Sequence, residues 1–276
     1  MYALILLQRF VMKQSVILRG SLNFAKRPGF YAQNVVDSIR SWFKGEIIVS
    51  TWEDQVESAR NLIGIDKVVV SKDPGDGPIQ QMQRQVNSYW AGVNACSGDE
   101  IMVTRTDILH FRDLFEFIGI RPHVSPYDMR CFDAKIVIGN IMTIHPESNE
   151  ANRTFRACDW FQVGKRSDIE RWIGITQELA QIPLNELEEH WGRHNICTEK
   201  LWFTLVLNKY SKHRIDWRNT TAMDDLAWPA LLDNFVLLDQ ITTARSINVN
   251  WAFQPQRLHC YVTEHEFHKK YLELCA

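Results

Sequence analysis

Four short apolar runs separated by stretches of helical periodicity constrain most strongly what this chain can fold into. Ser15 to Arg19 (SVILR) reads as a first buried strand, and Glu46 to Thr51 (EIIVST), Asp66 to Ser71 (DKVVVS) and Glu100 to Thr104 follow it. Between the first two, Tyr31 to Phe43 repeats Val35, Val36, Ile39, Trp42 and Phe43 on one helical face, and Gln80 to Ala95 reads as a long helix before the fourth. The order β, α, β, α, β, α, β predicts an α/β fold, a mostly parallel sheet of Rossmann-like type with crossover helices. Right-handed crossovers bring the strand C-termini and their loops to one edge. The second half is expected to add a strand over Lys135 to Ile144, a capping box at Ser167 and Glu170, and a helix over Leu201 to Tyr210.

Size and charge narrow the class. A chain of 276 residues is near the upper size for one hydrophobic core, and 45% hydrophobic residues suffice to fill it. With a formal net charge of -2 and scattered Lys and Arg, the chain lacks the basic face of a nucleic-acid binder, so no nucleic-acid partner is expected. The six cysteines stand far apart with no C-x-x-C pair, which fits reduced thiols in a cytoplasmic protein. The stretch Met1 to Met12 is apolar but too short to span a bilayer, and Gln8 and Arg9 interrupt it. Residues 1–14 are therefore expected as an apolar extension or edge strand, with loose membrane-surface contact as the alternative. Residues 15–210 are expected to form the main domain and 211–276 a helical extension packed on it.

The common edge collects polar residues. Arg19-Gly20, Thr51-Trp52, Asp73-Pro74-Gly75 and Arg105-Thr106-Asp107 each stand where an apolar run ends. Ligands of open α/β sheets bind at that edge. A carboxylate such as Asp107 can hold a hard cation, Mg²⁺ or Mn²⁺, that clamps a diphosphate. The aromatic ring of Trp52 and the loop backbone could hold a base and ribose. The plainer alternative for Arg105 and Asp107 is a structural ion pair. Neither a G-x-x-x-x-G-K-[ST] loop nor a G-x-G-x-x-G after the first strand is present, which removes the main support for kinase-like and dinucleotide readings.

Further along, Asp159 is flanked by aromatics in Ala157-Cys158-Asp159-Trp160-Phe161, a setting suited to a general base, the plainer alternative being an Asp that caps the following turn with Trp160 and Phe161 in the core. Glu199 falls in the first turn of a helix, where it favours the dipole or reaches a cleft as a second carboxylate. His190, His194 and Cys197 could share a helical face, and His259, Cys260, His265 and His268 cluster near the C-terminus, but neither spacing matches a zinc pattern well.

Taken in order, Ser50-Thr51-Trp52, Asp73-Pro74-Gly75, Arg84-Gln85, Arg105-Thr106-Asp107, Asp159-Trp160-Phe161-Gln162-Val163-Gly164 and Thr198-Glu199 resemble the WavE family of lipopolysaccharide-synthesis proteins, from about Ser15 to about Tyr210. The resemblance implies a GT-A-like glycosyltransferase of surface-polysaccharide assembly, with Arg-Thr-Asp standing where other such enzymes carry Asp-x-Asp. It implies a nucleotide diphosphate sugar donor, a glycan or lipid-linked acceptor at the inner membrane face, and Mn²⁺ or Mg²⁺ on Asp107. Arg19, Gly20, Thr51, Trp52, Asp73, Arg84, Arg105 and Thr106 would then surround the donor, with Asp159 as base and Glu199 as second choice. The family often carries a Lys two positions before the Arg, where this chain has Val103. Two rival readings are a catalytically silent sugar-nucleotide or glycan-binding module and a metal-dependent phosphoesterase using Asp107, Asp159 and His145.

Overall fold

The computed structural model describes residues 12–22, 32–75, 78–141, 143–148, 154–175, 178–179, 181–191, 197–239, 244–246 and 261–275. The first half forms β1 (Gln14–Arg19), α1 (Ala32–Arg40), β2 (Glu46–Trp52), α2 (Val56–Arg60), β3 (Lys67–Ser71), α3 (Pro78–Ala95) and β4 (Glu100–Arg105). The second half adds β5 (Ile108–His110), β6 (Ile136–Gly139), β7 (Phe161–Lys165), α4 (Arg166–Ile173), α5 (Leu184–Trp191) and α6 (Thr198–Tyr210). It closes with α7 (Ala227–Asn234), β8 (Phe235–Leu238), β9 (Ala244–Ser246) and α8 (Glu264–Cys275).

One seven-stranded sheet in the order β3-β2-β1-β4-β7-β6-β8 carries the fold, with helices around it. The first four strands are parallel, as their continuous apolar runs predict: Val16, Ile17, Leu18, Ile47, Ile48, Val49, Ile101, Met102 and Val103 are all fully buried. Each such side chain contributes roughly 1.5–3 kcal/mol relative to remaining in water. Helix α3 approaches β1 closely at Gly92, where a Cβ would stand 2.4 Å from Ile17 Cγ2. Glycine is what lets the two backbones approach there.

The reversed strand decides where the chemistry can sit. Running antiparallel to both β4 and β6, β7 starts at the edge where β1 to β4 end, and its Phe161 pairs with Thr104. The segment leading into β7, with Asp159, is thereby brought beside Arg105. Strand order also reverses direction between β1 and β4, which makes this edge a topological switch point.

Two expectations from the sequence are corrected. The strand expected over Lys135 to Ile144 is only Ile136–Gly139; the chain turns at Asn140 and Ile141, and Ile144 makes an isolated bridge to Tyr261. Ser167 is not an N-cap: α4 starts at Arg166 after Lys165, no side chain caps it, and Glu170 instead pairs with Arg166 at 2.9 Å. Asp168 is the residue that works locally, accepting from Asp133 N and Ala134 N. Residues 211–276 are helical in part, as expected, but they also supply β8 to the sheet. The apolar stretch before Met12 lies outside the described residues. No helix among the described residues is long and apolar enough to cross a membrane.

Beneath the edge, His110 of β5 is wholly buried, its Nε2 2.8 Å from Thr104 Oγ1 and its ring edge-on to Phe161. Burial pushes its pKa down to about 3. The folded imidazole therefore stays neutral while the unfolded one gains a proton near pH 6.5, so stability is intact above that pH and falls as pH drops toward 3. At pH 4.5 the loss from this residue alone is about 2–3 kcal/mol. Urea midpoints at pH 7 and 4.5 test this: His110→Gln should be less acid-sensitive than the parent chain by about that amount, and equal sensitivity would clear His110 of the effect.

Candidate active site

A cavity of about 210 Å³ opens where the ends of β1, β2 and β3 meet α3. Arg19, Gly20, Ser21, Trp52, Gln55, Asp73, Arg84, Gln85 and Ser88 line it. Gly20 turns the chain out of β1 with φ +113°, a conformation other residues resist, while its N–H donates to Ser50 O. Gln55 fixes the following residues: its Oε1 accepts from Leu22 N at 2.6 Å and its Nε2 donates to Ser21 Oγ. Thr51 stands behind, its hydroxyl donating to Gly20 O.

Also at the cavity, Arg84 Nε and Nη2 each donate to Asp73 at 2.6 Å, and Gly75 N also donates to that carboxylate. These hydrogen bonds, the Arg84 pair foremost, hold the Asp73 carboxyl below the usual range. The loop after β3 is thus stapled to the second turn of α3. At 210 Å³ the cavity holds one ring system and not a whole nucleotide sugar. A donor seated there would extend outward.

Outward from the cavity lies a set of alternating charges. Arg19 is only 4% exposed, yet it lines the cavity on one side and on the other donates from Nη2 to the backbone oxygen of Asp159 at 2.6 Å. The same nitrogen lies 4.0 Å from Asp159 Oδ2, and the guanidinium sits 4.3 Å from the Tyr89 ring centroid. Tyr89 is no candidate base, because burial pushes its phenol up to about 12. Arg105, in register with Arg19 on the next strand, donates from Nε and Nη2 to both Asp107 oxygens at 2.9 and 2.8 Å. Thr106 locks the triplet by donating to Arg19 O and Ser21 O.

Desolvation opposes the Arg105 charge, and the carboxylates of Asp107 and Asp159 outweigh it, so the guanidinium stays charged. Farther along, Glu199 lies 3.7 Å from Arg156. Desolvation pushes its carboxyl above the usual range, Arg156 pulls it back, and the Asp159 charge pushes it up again. The charge of Asp159 thus supports the Arg105 cation and opposes ionisation of Glu199, while Arg19 holds its backbone oxygen.

The structure thus brings the sequence-derived residues into two adjoining groups: Arg19, Gly20, Trp52, Asp73 and Arg84 at the cavity with Thr51 behind, and Arg105, Thr106, Asp107, Asp159 and Glu199 beside it. Arg19 belongs to both. Sequence reasoning missed Gln55, Ser88, Tyr89 and Arg156; the polar positions Gln85 and Ser88, next to Val86 and Tyr89 on α3, were the available signal.

Metal-ligand groups are not assembled. Among the described residues no three His, Cys, Asp or Glu side chains come together to hold an ion. His190 packs edge-on against Trp217, and His145 against Trp228. His194, His259 and Cys260 lie outside the described residues. The buried thiols are inert, with Cys131 pushed up to about 12 and Cys197 to about 11 by burial.

The family model described as WavE lipopolysaccharide synthesis matches residues 15–266. No curated protein sequence matches the chain. Among solved structures, the glycosyltransferase GlyE of Streptococcus pneumoniae TIGR4 is similar at a TM-score of 0.37 and 10% identity, covering 83% of this chain and 46% of GlyE. HddC from Yersinia pseudotuberculosis, complexed with GMP-PN, is similar at a TM-score of 0.36 and 11% identity, covering 58% of this chain and 79% of HddC. This chain spans less than half the length of the GlyE structure. At these scores neither structure informs the chemistry described below.

Proposed function

The chain belongs to the WavE lipopolysaccharide-synthesis family, and from that premise we propose that it is a glycosyltransferase, moving a sugar from a nucleotide diphosphate sugar to a hydroxyl of a surface-glycan or lipid-linked acceptor. One observation carries the reading: a cavity sized for a nucleobase and a carboxylate, Asp159, meet at a single sheet edge and are joined by one residue, Arg19. In this reading the base and ribose sit against Trp52 between Gln85 and the Asp73–Arg84 staple. The diphosphate extends over the ends of β1 and β4, toward Arg105.

In an inverting transfer the acceptor oxygen forms a bond to the anomeric carbon as the bond to the diphosphate breaks. Asp159 takes the acceptor proton. Arg19 serves as a positioning residue, because it fixes the Asp159 backbone while touching the donor cavity. Glu199 is the second carboxylate, turned toward Arg156.

A divalent cation on Asp107 is what the family resemblance implies, and the residues present do not fit one. Magnesium sites do use as few as one or two carboxylates with phosphate oxygens, so ligand count alone decides little. What decides is that both Asp107 oxygens already accept from Arg105, while the carboxylate is 5% exposed. An ion would have to displace that guanidinium and then stand beside its charge, at a repulsion of several kcal/mol. No step above uses a metal.

A thermal-shift screen of nucleotide sugars on the full chain, each with Mn²⁺ and with EDTA, tests the donor site. At a hundredfold excess over Kd the donor stabilises by about 2.7 kcal/mol, and a chain of this size then melts roughly 5–10 °C higher. Silence across the panel at millimolar concentration counts against the proposal. A hit that supports calorimetric binding but neither transfer nor donor hydrolysis would make the protein a binding module.

A further inference from the structure

We infer that Asp107 is the anchor of Arg105 and not a metal ligand, and that Arg105 and Arg19 together receive the donor diphosphate without a divalent cation. The inference rests on the donor-site reading above and adds to it which atoms meet the charge.

Burial within the pair is unequal. The Asp107 side chain is 5% exposed and that of Arg105 30%, so the cation is the partner that faces the edge. A ligand-binding carboxylate would show the opposite order. Two of the five guanidinium N–H donors go to Asp107, and the Nη1 pair is left to donate elsewhere. A fork held on one side by a buried carboxylate is fixed in direction, which suits the planar, two-pronged recognition of phosphate oxygens.

A second guanidinium stands beside it. Arg19 is in register with Arg105 on the neighbouring strand, is fixed by Asp159 and Tyr89, and has a buried Nε with no hydrogen-bond partner among the described residues. The Thr106 hydrogen bonds to Arg19 O and Ser21 O tie the two strand ends together. A diphosphate leaving the cavity at Arg19 therefore reaches Arg105 next.

Calorimetry of the full chain with UDP, GDP, ADP and CDP, and with the matching monophosphates, tests this, each in EDTA and in Mn²⁺. Electron paramagnetic resonance of Mn²⁺ alone with the protein accompanies it. The diphosphate that binds should do so equally, within about twofold, in EDTA and in Mn²⁺. Its advantage over the monophosphate should fall about tenfold or more in Arg105→Gln, and several-fold in Asp107→Asn, in which the fork is less firmly held. Circular dichroism and melting confirm that both variants fold. Tenfold tighter binding with Mn²⁺ that disappears in Asp107→Asn would overturn the inference and leave the donor site standing. Unchanged affinity in a folded Arg105→Gln variant would also overturn it. If no nucleotide binds under either condition, the donor-site reading itself fails.

Discussion

Asp159→Asn is expected to lower the transfer rate by roughly a hundred- to ten-thousandfold, the range a well-placed general base contributes, while donor affinity stays the same or tightens. The anchor that matters for the fold is untouched, because Arg19 holds the backbone oxygen of Asp159 and only approaches its carboxylate at 4.0 Å. Removing the negative charge leaves Arg19 and Arg105 less compensated, which favours an anionic donor. The measurement is initial rate against donor concentration, paired with calorimetry of the nucleoside diphosphate. A kcat loss with Kd preserved assigns Asp159 to proton transfer. Loss of donor binding would move it into the nucleotide site, and near-normal turnover would remove it from an inverting mechanism and leave a retaining one, which needs no such base. Glu199→Gln is the internal comparison: its carboxyl faces Arg156, so its loss should lower the rate far less than Asp159→Asn does.

How far the sequence already contained this site depends on the kind of signal each part leaves. The strands ending at Arg19, Thr51 and Thr104 were legible because a strand buried on both faces must be apolar throughout, the partly exposed one ending at Ser71 was legible from its run of β-branched residues, and the edge residues followed from crossover handedness. Trp52, Asp73 and Arg84 could be named for the same reason. That Asp159 would stand beside Arg105 was not legible, since it depends on β7 running backwards between β4 and β6, and pairing direction leaves no mark on a five-residue strand. The strand Phe235–Leu238 was hidden in a similar way: it follows Ala227–Asn234 without a break, and a four-residue apolar run after a buried helix has no periodicity of its own. Ser167 had the right spacing for a cap, but the chain enters α4 two residues early and leaves it inside the first turn. The pairing of Arg105 with Asp107 was one of two readings of the triplet, and side-chain geometry alone could choose between them.

The largest effect on stability is expected far from that edge, at Asp233. Its carboxylate, 2% exposed on α7, accepts from Ser125 N at 2.6 Å, Ser125 Oγ at 2.8 Å and Met129 N at 2.7 Å. The next residue continues the same function, with Asn234 accepting from Cys131 N and donating to Met129 O. Residues 121–135 have no helix or strand of their own, so these side chains replace the backbone partners that regular structure would give. Asp233→Ala leaves three buried donors without an acceptor, each costing about 1–3 kcal/mol, and a net loss of about 3–5 kcal/mol is expected after partial relaxation. For a domain whose total stability is about 5–15 kcal/mol, that approaches unfolding at physiological temperature. Asp233→Asn retains one oxygen acceptor but turns an amide donor toward an N–H, so it should cost less, about 1–3 kcal/mol. Urea unfolding monitored by tryptophan fluorescence measures both variants, and a cycle with Ser125→Ala separates the hydroxyl contact from the two backbone contacts. Because this loop contributes nothing to the cavity, donor affinity per folded molecule should stay unchanged in whatever fraction remains native. A loss below 1 kcal/mol for Asp233→Ala would mean that water satisfies the loop's donors and that the carboxylate does not hold the segment.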